Sequence, residues 1–177
     1  MAMHSFPLPA SATLDPVPAA ALAGGAVALS LDRQLCFALY SASLAMTRLY
    51  KPLLADLGLT YPQYLVMLAL WQQNALSVGA LGREVQLDSG TLTPLLKRLE
   101  AAGLLTRRRD AADERRVRLH LTPAGQALEP RAAALAGRVA YAAACAPDEL
   151  AALTRRVQAL RDTLLASSLD FPDRATV

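Results

Sequence analysis

The feature that most limits what this chain can fold into is a leucine stripe, Leu92, Leu95, Leu96 and Leu99, followed by Gly103. The spacing i, i+3, i+4, i+7 places all four side chains on one face of a helix, and that face must be packed. The opposite face carries Thr91, Thr93, Lys97 and Arg98. These groups can hydrogen-bond base edges or phosphates, and nothing requires them to be buried. Asp88 or Ser89 is a suitable N-cap and Gly103 a C-terminal stop, so the spacing predicts a helix from about residue 89 to 102. Val78, Leu81, Val85 and Leu87 form a shorter periodic segment just upstream. Two short helices joined by a tight turn, the second opened by polar residues, match a helix-turn-helix whose second helix enters the major groove.

Past Gly103, Leu104 to Arg109 and Arg116 to Leu121 alternate as strands, with a charged loop, Asp110 to Arg115, between them. From Lys97 to Arg118 there are eight Lys or Arg against four Asp or Glu, while the whole chain carries only +3. Basicity is therefore concentrated in this block, where phosphate neutralisation would supply affinity without sequence information. Taken alone, such a hairpin reads as a solvated charged loop. Joined to the helix before it, it reads as the wing of a winged helix-turn-helix.

LDSGTLTPLLKRLEAAGLLTRR followed by DERRVRLHLTPAG resembles the MarR family of winged-helix repressors, and within it the organic hydroperoxide resistance regulator (OhrR) branch. The likeness covers about residues 31–168. It implies a mainly α fold with a two-stranded wing, a winged helix-turn-helix over about 63–121, and dimerisation helices over about 31–56 and 123–168. It also implies DNA-contacting roles for Ser89, Thr91, Thr93, Pro94 and Lys97 in the helix. Asp113 and Arg115 match the wing pair of the family, in which the arginine reaches the minor groove and the aspartate holds it. Pro94 removes a backbone donor beyond the first helical turn and should bend the helix, with Gly90 four residues earlier relieving the clash.

The remainder of the chain fits one Ala- and Leu-rich helical protein, since 54% of its 177 residues are hydrophobic and only 5% aromatic. Residues 1–30 are rich in Pro, Ala and Gly and hold no Lys or Arg, so a disordered arm is expected there, with residues 169–177 a tail. The apolar run from Val17 to Leu31 lacks a basic leading region and is interrupted by Gly24 and Gly25, unlike a signal peptide. No apolar segment has the length of a membrane span, and a cytoplasmic protein is expected.

LDRQLCFALYSASLAMTRLY begins after Ser30 and carries Leu35, Leu39, Ala42 and Met46 at helical spacing. Cys36 and Tyr40 share one face. A lone cysteine among apolar residues is ordinarily a small core residue. In the OhrR branch, however, the motif LCFALY marks the peroxide-sensing cysteine, and it matches Cys36. Attack on a peroxide needs a thiolate, which a helix N-terminus and phenolic hydroxyls can stabilise. Tyr40, Tyr50 and Tyr61 are the candidates, each with an ordinary reading as a core or interface aromatic. Tyr50 cannot reach Cys36 along a continuous helix, and in the family the tyrosines matching Tyr50 and Tyr61 reach across from the partner subunit. Phe37, Leu39 and Met46 would give an apolar lining suited to an organic hydroperoxide.

Pro52, Gly58, Thr60 and Pro62 mark a turn, and Tyr64, Leu65, Leu68 and Trp71 another amphipathic helix, read as scaffold. Thr122 and Pro123 open a long helix expected to reach about Ala144, and Pro147 and Asp148 restart the chain. Leu150, Leu153, Val157, Leu160, Leu164 and Leu165 then form an apolar stripe. So much apolar helical surface points to a homodimer, whose two-fold symmetry calls for an inverted-repeat, double-stranded DNA operator.

Cys145 stands at the junction of these helices, where it is either a small residue at a helix end or a resolving thiol. By resemblance to two-cysteine members of the branch, the sulfenic acid of Cys36 would condense with Cys145 of the partner subunit. The resulting expectation is a repressor that releases DNA when an organic hydroperoxide oxidises Cys36, with no catalytic residues and no cofactor. A MarR-like regulator released by a small apolar or phenolic ligand is the alternative. Further rivals are a thiol peroxidase and a winged-helix adaptor that binds protein. Only His4 and His120 are present, with no clustered Cys/His metal set and no glycine-rich phosphate loop.

Overall fold

The computed structural model describes residues 30–110 and 117–167. A 3-10 turn, Leu31–Arg33, precedes α1 (Leu35–Ala55), α2 (Tyr61–Gln72), β1 (Leu76–Ser77), α3 (Val78–Glu84) and α4 (Ser89–Ala101). Strands β2 (Leu105–Arg109) and β3 (Val117–Leu121) follow, then α5 (Pro123–Ala127), α6 (Glu129–Ala133), α7 (Leu135–Ala142) and α8 (Pro147–Ala166). The described chain divides into two compact units, one running to Ala142 and one containing α8.

In the first unit three of the four stripe leucines are packed away, while Leu95 is half-buried. Leu92, Leu96 and Leu99 are fully enclosed, together with Leu54, Val66, Met67, Leu70, Leu81, Leu105 and Leu119. Each such burial contributes roughly 1.5–3 kcal/mol relative to an exposed side chain. Local signals set the helix ends. Ser77 Oγ accepts the Ala80 amide at 3.2 Å to open α3, and Asp88 Oδ1 accepts the Thr91 amide at 2.9 Å to open α4. At the other end of α4, Leu104 N–H donates to the Leu99 carbonyl and Gly103 N–H to that of Glu100. This Schellman closure needs a left-handed residue, and Gly103 supplies it with φ +71°.

The sheet holds one strand more than the sequence pattern indicates. Its order is β1-β3-β2, antiparallel throughout, with Leu76 opposite Leu119 and Arg108 opposite Arg118. The two-residue β1 is too short to show alternation, so its sequence carries no strand signal. Two helix boundaries also differ from the sequence pattern. Pro52 lies inside α1 rather than in the turn, because buried Leu53 and Leu54 hold the last turn in place. The long helix expected from Thr122 to Ala144 is instead three short ones, α5, α6 and α7. Pro130 brings no N–H to the chain at that point, and Leu128 and Ala134 interrupt the bonding while keeping right-handed backbone angles.

In the second unit, α8 begins with Pro147, Asp148 and Glu149 in its first turn, where acidic residues favour the helix dipole. None of its residues is buried, and Leu153, Val157, Leu164 and Leu165 are exposed.

Candidate DNA-reading face and thiol site

The exposed side of α4 carries Ser89, Thr91, Thr93, Pro94 and Lys97, all of the helix residues the sequence singles out. The helix continues through Pro94 without interruption. Two hydroxyls are tied down on this face: Thr91 Oγ1 donates to Asp88 Oδ2 at 2.9 Å, and Thr93 Oγ1 to the Ser89 carbonyl at 2.7 Å. The Thr91 amide and hydroxyl hold the Asp88 carboxyl below the ordinary carboxylate range.

Asp113 and Arg115 lie outside the described residues, but the base of the wing is described. Arg118 Nε pairs with Asp110, and Arg118 Nη1 donates to the Ala75 carbonyl at 3.1 Å. Asn74 Oδ1 accepts the Leu121 amide at 3.0 Å, so the segment before β1 is tied to β3 at both ends. On β2, Arg107 Nε stands 3.1 Å from Glu100 Oε2 of α4, and Arg108 and Arg109 are exposed. Sequence reasoning assigned no role to Asn74 or Arg118. Asn74 meets Leu121 across 47 positions and Arg118 meets Ala75 across 43, beyond the reach of any local pattern.

Cys36 is the second residue of α1, in the turn whose amide N–H groups have no helical acceptor. It is an exposed free thiol, and exposed Leu35, Phe37 and Tyr40 lie along the same segment. Tyr40 stands one turn further on and is 62% exposed. Tyr50 and Tyr61 are elsewhere. Their rings meet at 4.8 Å between centroids, with Tyr64 5.6 Å from Tyr50 and 6.4 Å from Tyr61. Trp71 adds an edge contact to Tyr64 at 6.3 Å. Burial raises the phenol pKa of Tyr50, Tyr61 and Tyr64 above the ordinary value. Because α1 is unbroken, Tyr50 lies about 21 Å along the axis from Cys36 of the same chain. Tyr64, read from sequence as scaffold, completes this aromatic group; its periodicity marks only a packed helix face. Cys145 is a half-buried free thiol in the second unit. Among the described residues no group of three or more His, Cys, Asp or Glu could hold a metal ion, and no helix is long and apolar enough to cross a membrane.

The chain is 50% identical over 145 residues to the HTH-type transcriptional regulator TtmR of Methylorubrum extorquens, covering 81% of this chain and 74% of that one. It is 44% identical over 136 residues to the organic hydroperoxide resistance transcriptional regulator of Bacillus subtilis, covering 77% of this chain and 92% of the relative. The chain belongs to the MarR family of winged-helix regulators, of the organic hydroperoxide regulator kind. A family model described as transcriptional regulator SarA/Rot matches residues 48–129, which run from the second half of α1 to the start of α6. Among solved MarR-like structures, that of AbfR from Staphylococcus epidermidis aligns with a TM-score of 0.67 at 33% identity, over 77% of this chain and 95% of that one. AbfR has also been solved reduced and bound to DNA, and in a disulfide form, with TM-scores of 0.62 and 0.53 to this chain. As a MarR-family member this chain is a transcriptional regulator.

Proposed function

We propose that this regulator is a cytoplasmic, homodimeric repressor that binds an inverted-repeat operator and releases it when an organic hydroperoxide oxidises Cys36. The observation that carries the reading is Cys36 itself, an exposed thiol in the first turn of α1 beside exposed apolar side chains. The likeness to a regulator named for organic hydroperoxide resistance supports the choice of effector. In the first step the Cys36 thiolate attacks the peroxide, an alcohol leaves, and the sulfur becomes a sulfenic acid. In the second, the thiol of Cys145 of the partner subunit displaces water from that sulfur, and a disulfide forms. A cellular thiol reductant restores both cysteines, as a reducing cytosol requires.

Residues 63–121 form the DNA-binding part in this reading, with residues 31–56 and 123–168 as the dimerisation helices. Ser89, Thr91, Thr93, Pro94 and Lys97 face the major groove, and Arg115 takes the minor groove, held in place by Asp113. The exposed leucines and valine of α8, with Leu31, Leu35 and Leu44, supply the apolar surface that a partner subunit would cover. Tyr40 assists Cys36 from its own helix. Tyr50 and Tyr61 reach the thiol of the opposite subunit, since the length of α1 keeps them from their own. Disulfide formation repositions the dimerisation helices and moves the paired reading heads out of register with the groove.

The test is non-reducing electrophoresis before and after stoichiometric cumene hydroperoxide, beside Cys36→Ser and Cys145→Ser. A covalent dimer in the wild type alone, lost with dithiothreitol, is expected. Oxygen gained at Cys36 without a dimer would reduce the switch to one cysteine. No reaction would overturn the redox reading in favour of release by a small ligand.

A further inference from the structure

Thr91 and Thr93 stand on the exposed face of α4 with the single proton of each hydroxyl already committed inside the helix. Thr91 donates to Asp88 Oδ2 at 2.9 Å, while Asp88 Oδ1 accepts the Thr91 amide, also at 2.9 Å. Thr93 donates to the Ser89 carbonyl at 2.7 Å. Chemistry fixes the direction of both bonds, because neither an ionised carboxylate nor a main-chain carbonyl has a proton to give. Asp88 remains ionised at neutral pH, its carboxyl held down by the Thr91 amide and hydroxyl and by the Gly90 amide. Each threonine therefore has only oxygen lone pairs and a γ-methyl to offer an outside partner.

We propose that Thr91 and Thr93 read A·T pairs as acceptor-plus-methyl groups, and that Asp88 is the positioning residue that fixes this polarity at Thr91. The inference rests on the DNA-reading function proposed above. In the major groove adenine N6 and cytosine N4 are donors, guanine presents acceptors at N7 and O6, and thymine presents its C5-methyl. An A·T pair alone supplies both a donor for the hydroxyl lone pair and a methyl for the threonine methyl. A guanine facing the same hydroxyl sets acceptor against acceptor.

Asp88→Asn reverses the polarity while keeping the cap. One asparagine oxygen still accepts the Thr91 amide, but an amide group replaces Oδ2, donates to Thr91 Oγ1 and turns the hydroxyl proton outward. The variant also removes one negative charge, which strengthens binding to every duplex alike, so the base ratio is the readout and overall affinity is not. The experiment selects bound duplexes from a randomised pool and sequences them for the wild type, Asp88→Asn and Thr91→Val. Thr91→Val keeps the methyl, removes the hydroxyl, and identifies the base that Thr91 faces. At that base the wild type is expected to prefer adenine over guanine, and Asp88→Asn to lower the ratio about fivefold, the worth of one neutral hydrogen bond. Other positions should not change. An identical motif in the wild type and Asp88→Asn, or a wild-type guanine at the base that Thr91→Val alters, would overturn the inference and leave DNA binding intact. A wild-type protein that enriches no duplex at all would instead overturn the DNA-reading function on which it rests.

Discussion

Trp71 donates its indole N–H to the main-chain carbonyl of Gly125 at 3.0 Å, joining α2 to α5 across 54 positions of chain. Gly125 is buried, and a Cβ built on it would stand 2.1 Å from the Leu104 carbonyl oxygen. The start of α5 and the turn after α4 thus pass so closely that only hydrogen fits between them. Thr122 strengthens the junction, its hydroxyl donating to the Gly103 carbonyl at 2.6 Å and its amide to that of Leu104 at 3.1 Å.

Gly125→Ala is expected to destabilise the fold by about 1–3 kcal/mol, because backbone rather than a flexible side chain must give way. Trp71→Phe removes one hydrogen bond and should cost about 1 kcal/mol. Urea denaturation of the two variants beside the wild type measures both.

Asp88 makes stability depend on acid. Its pKa is lower in the folded chain than in the unfolded one, so its contribution is present above the unfolded carboxylate range and is lost as pH falls through the folded value. The stability difference between wild type and Asp88→Asn should therefore be largest at neutral pH and close in strong acid. Denaturant titrations of both proteins at about pH 7 and about pH 2 would show it.

The tyrosine group acts at the opposite end of the scale. Tyr50, Tyr61 and Tyr64 have phenols raised by burial, so their contribution is complete below the unfolded tyrosine pKa and is lost as pH rises through the folded values. Ultraviolet titration should find these phenolates forming above the ordinary tyrosine range. Tyr50 and Tyr61 are half-buried, and solvent keeps their effect on stability small. Tyr50→Phe should remain folded and titrate one phenol fewer.

Arg118 positions the wing without belonging to the core. Arg118→Ala removes the bonds that Arg118 makes to Asp110 and to the Ala75 carbonyl, so operator affinity is expected to fall severalfold. Stability should change by less than about 1 kcal/mol, as for exposed ion pairs generally. Fluorescence anisotropy with labelled operator, run beside a thermal melt, separates the two effects.

Which of these features sequence could reveal follows from the range of the forces involved. Helix α4 was legible because its leucine spacing, its aspartate cap and its glycine stop are local and agree with one another. Observed bounds of Ser89–Ala101 lie within a residue of the predicted ones. Strand β1 was not legible, since two residues acquire strand geometry only from β3 beside them. Nor were the contacts of Arg118 or the close approach at Gly125, which arise when distant segments meet. The interruption of the expected long helix after Thr122 had a local sign in Pro130, which the alanine-rich pattern around it obscured.

One geometric feature reaches beyond the single chain. Cys36 and Tyr50 are held at opposite ends of one unbroken helix, so in the proposed dimer each thiol is served by the phenol of the other subunit. Genetics can read that arrangement directly. A cell making only Cys36→Ser, or only a Tyr50→Phe protein disabled in sensing, would be deaf to peroxide. A cell making both would assemble mixed dimers in which one site has lost both groups and the other has kept both. Half-site hearing would return in those mixed dimers, while both kinds of homodimer stayed deaf on the operator.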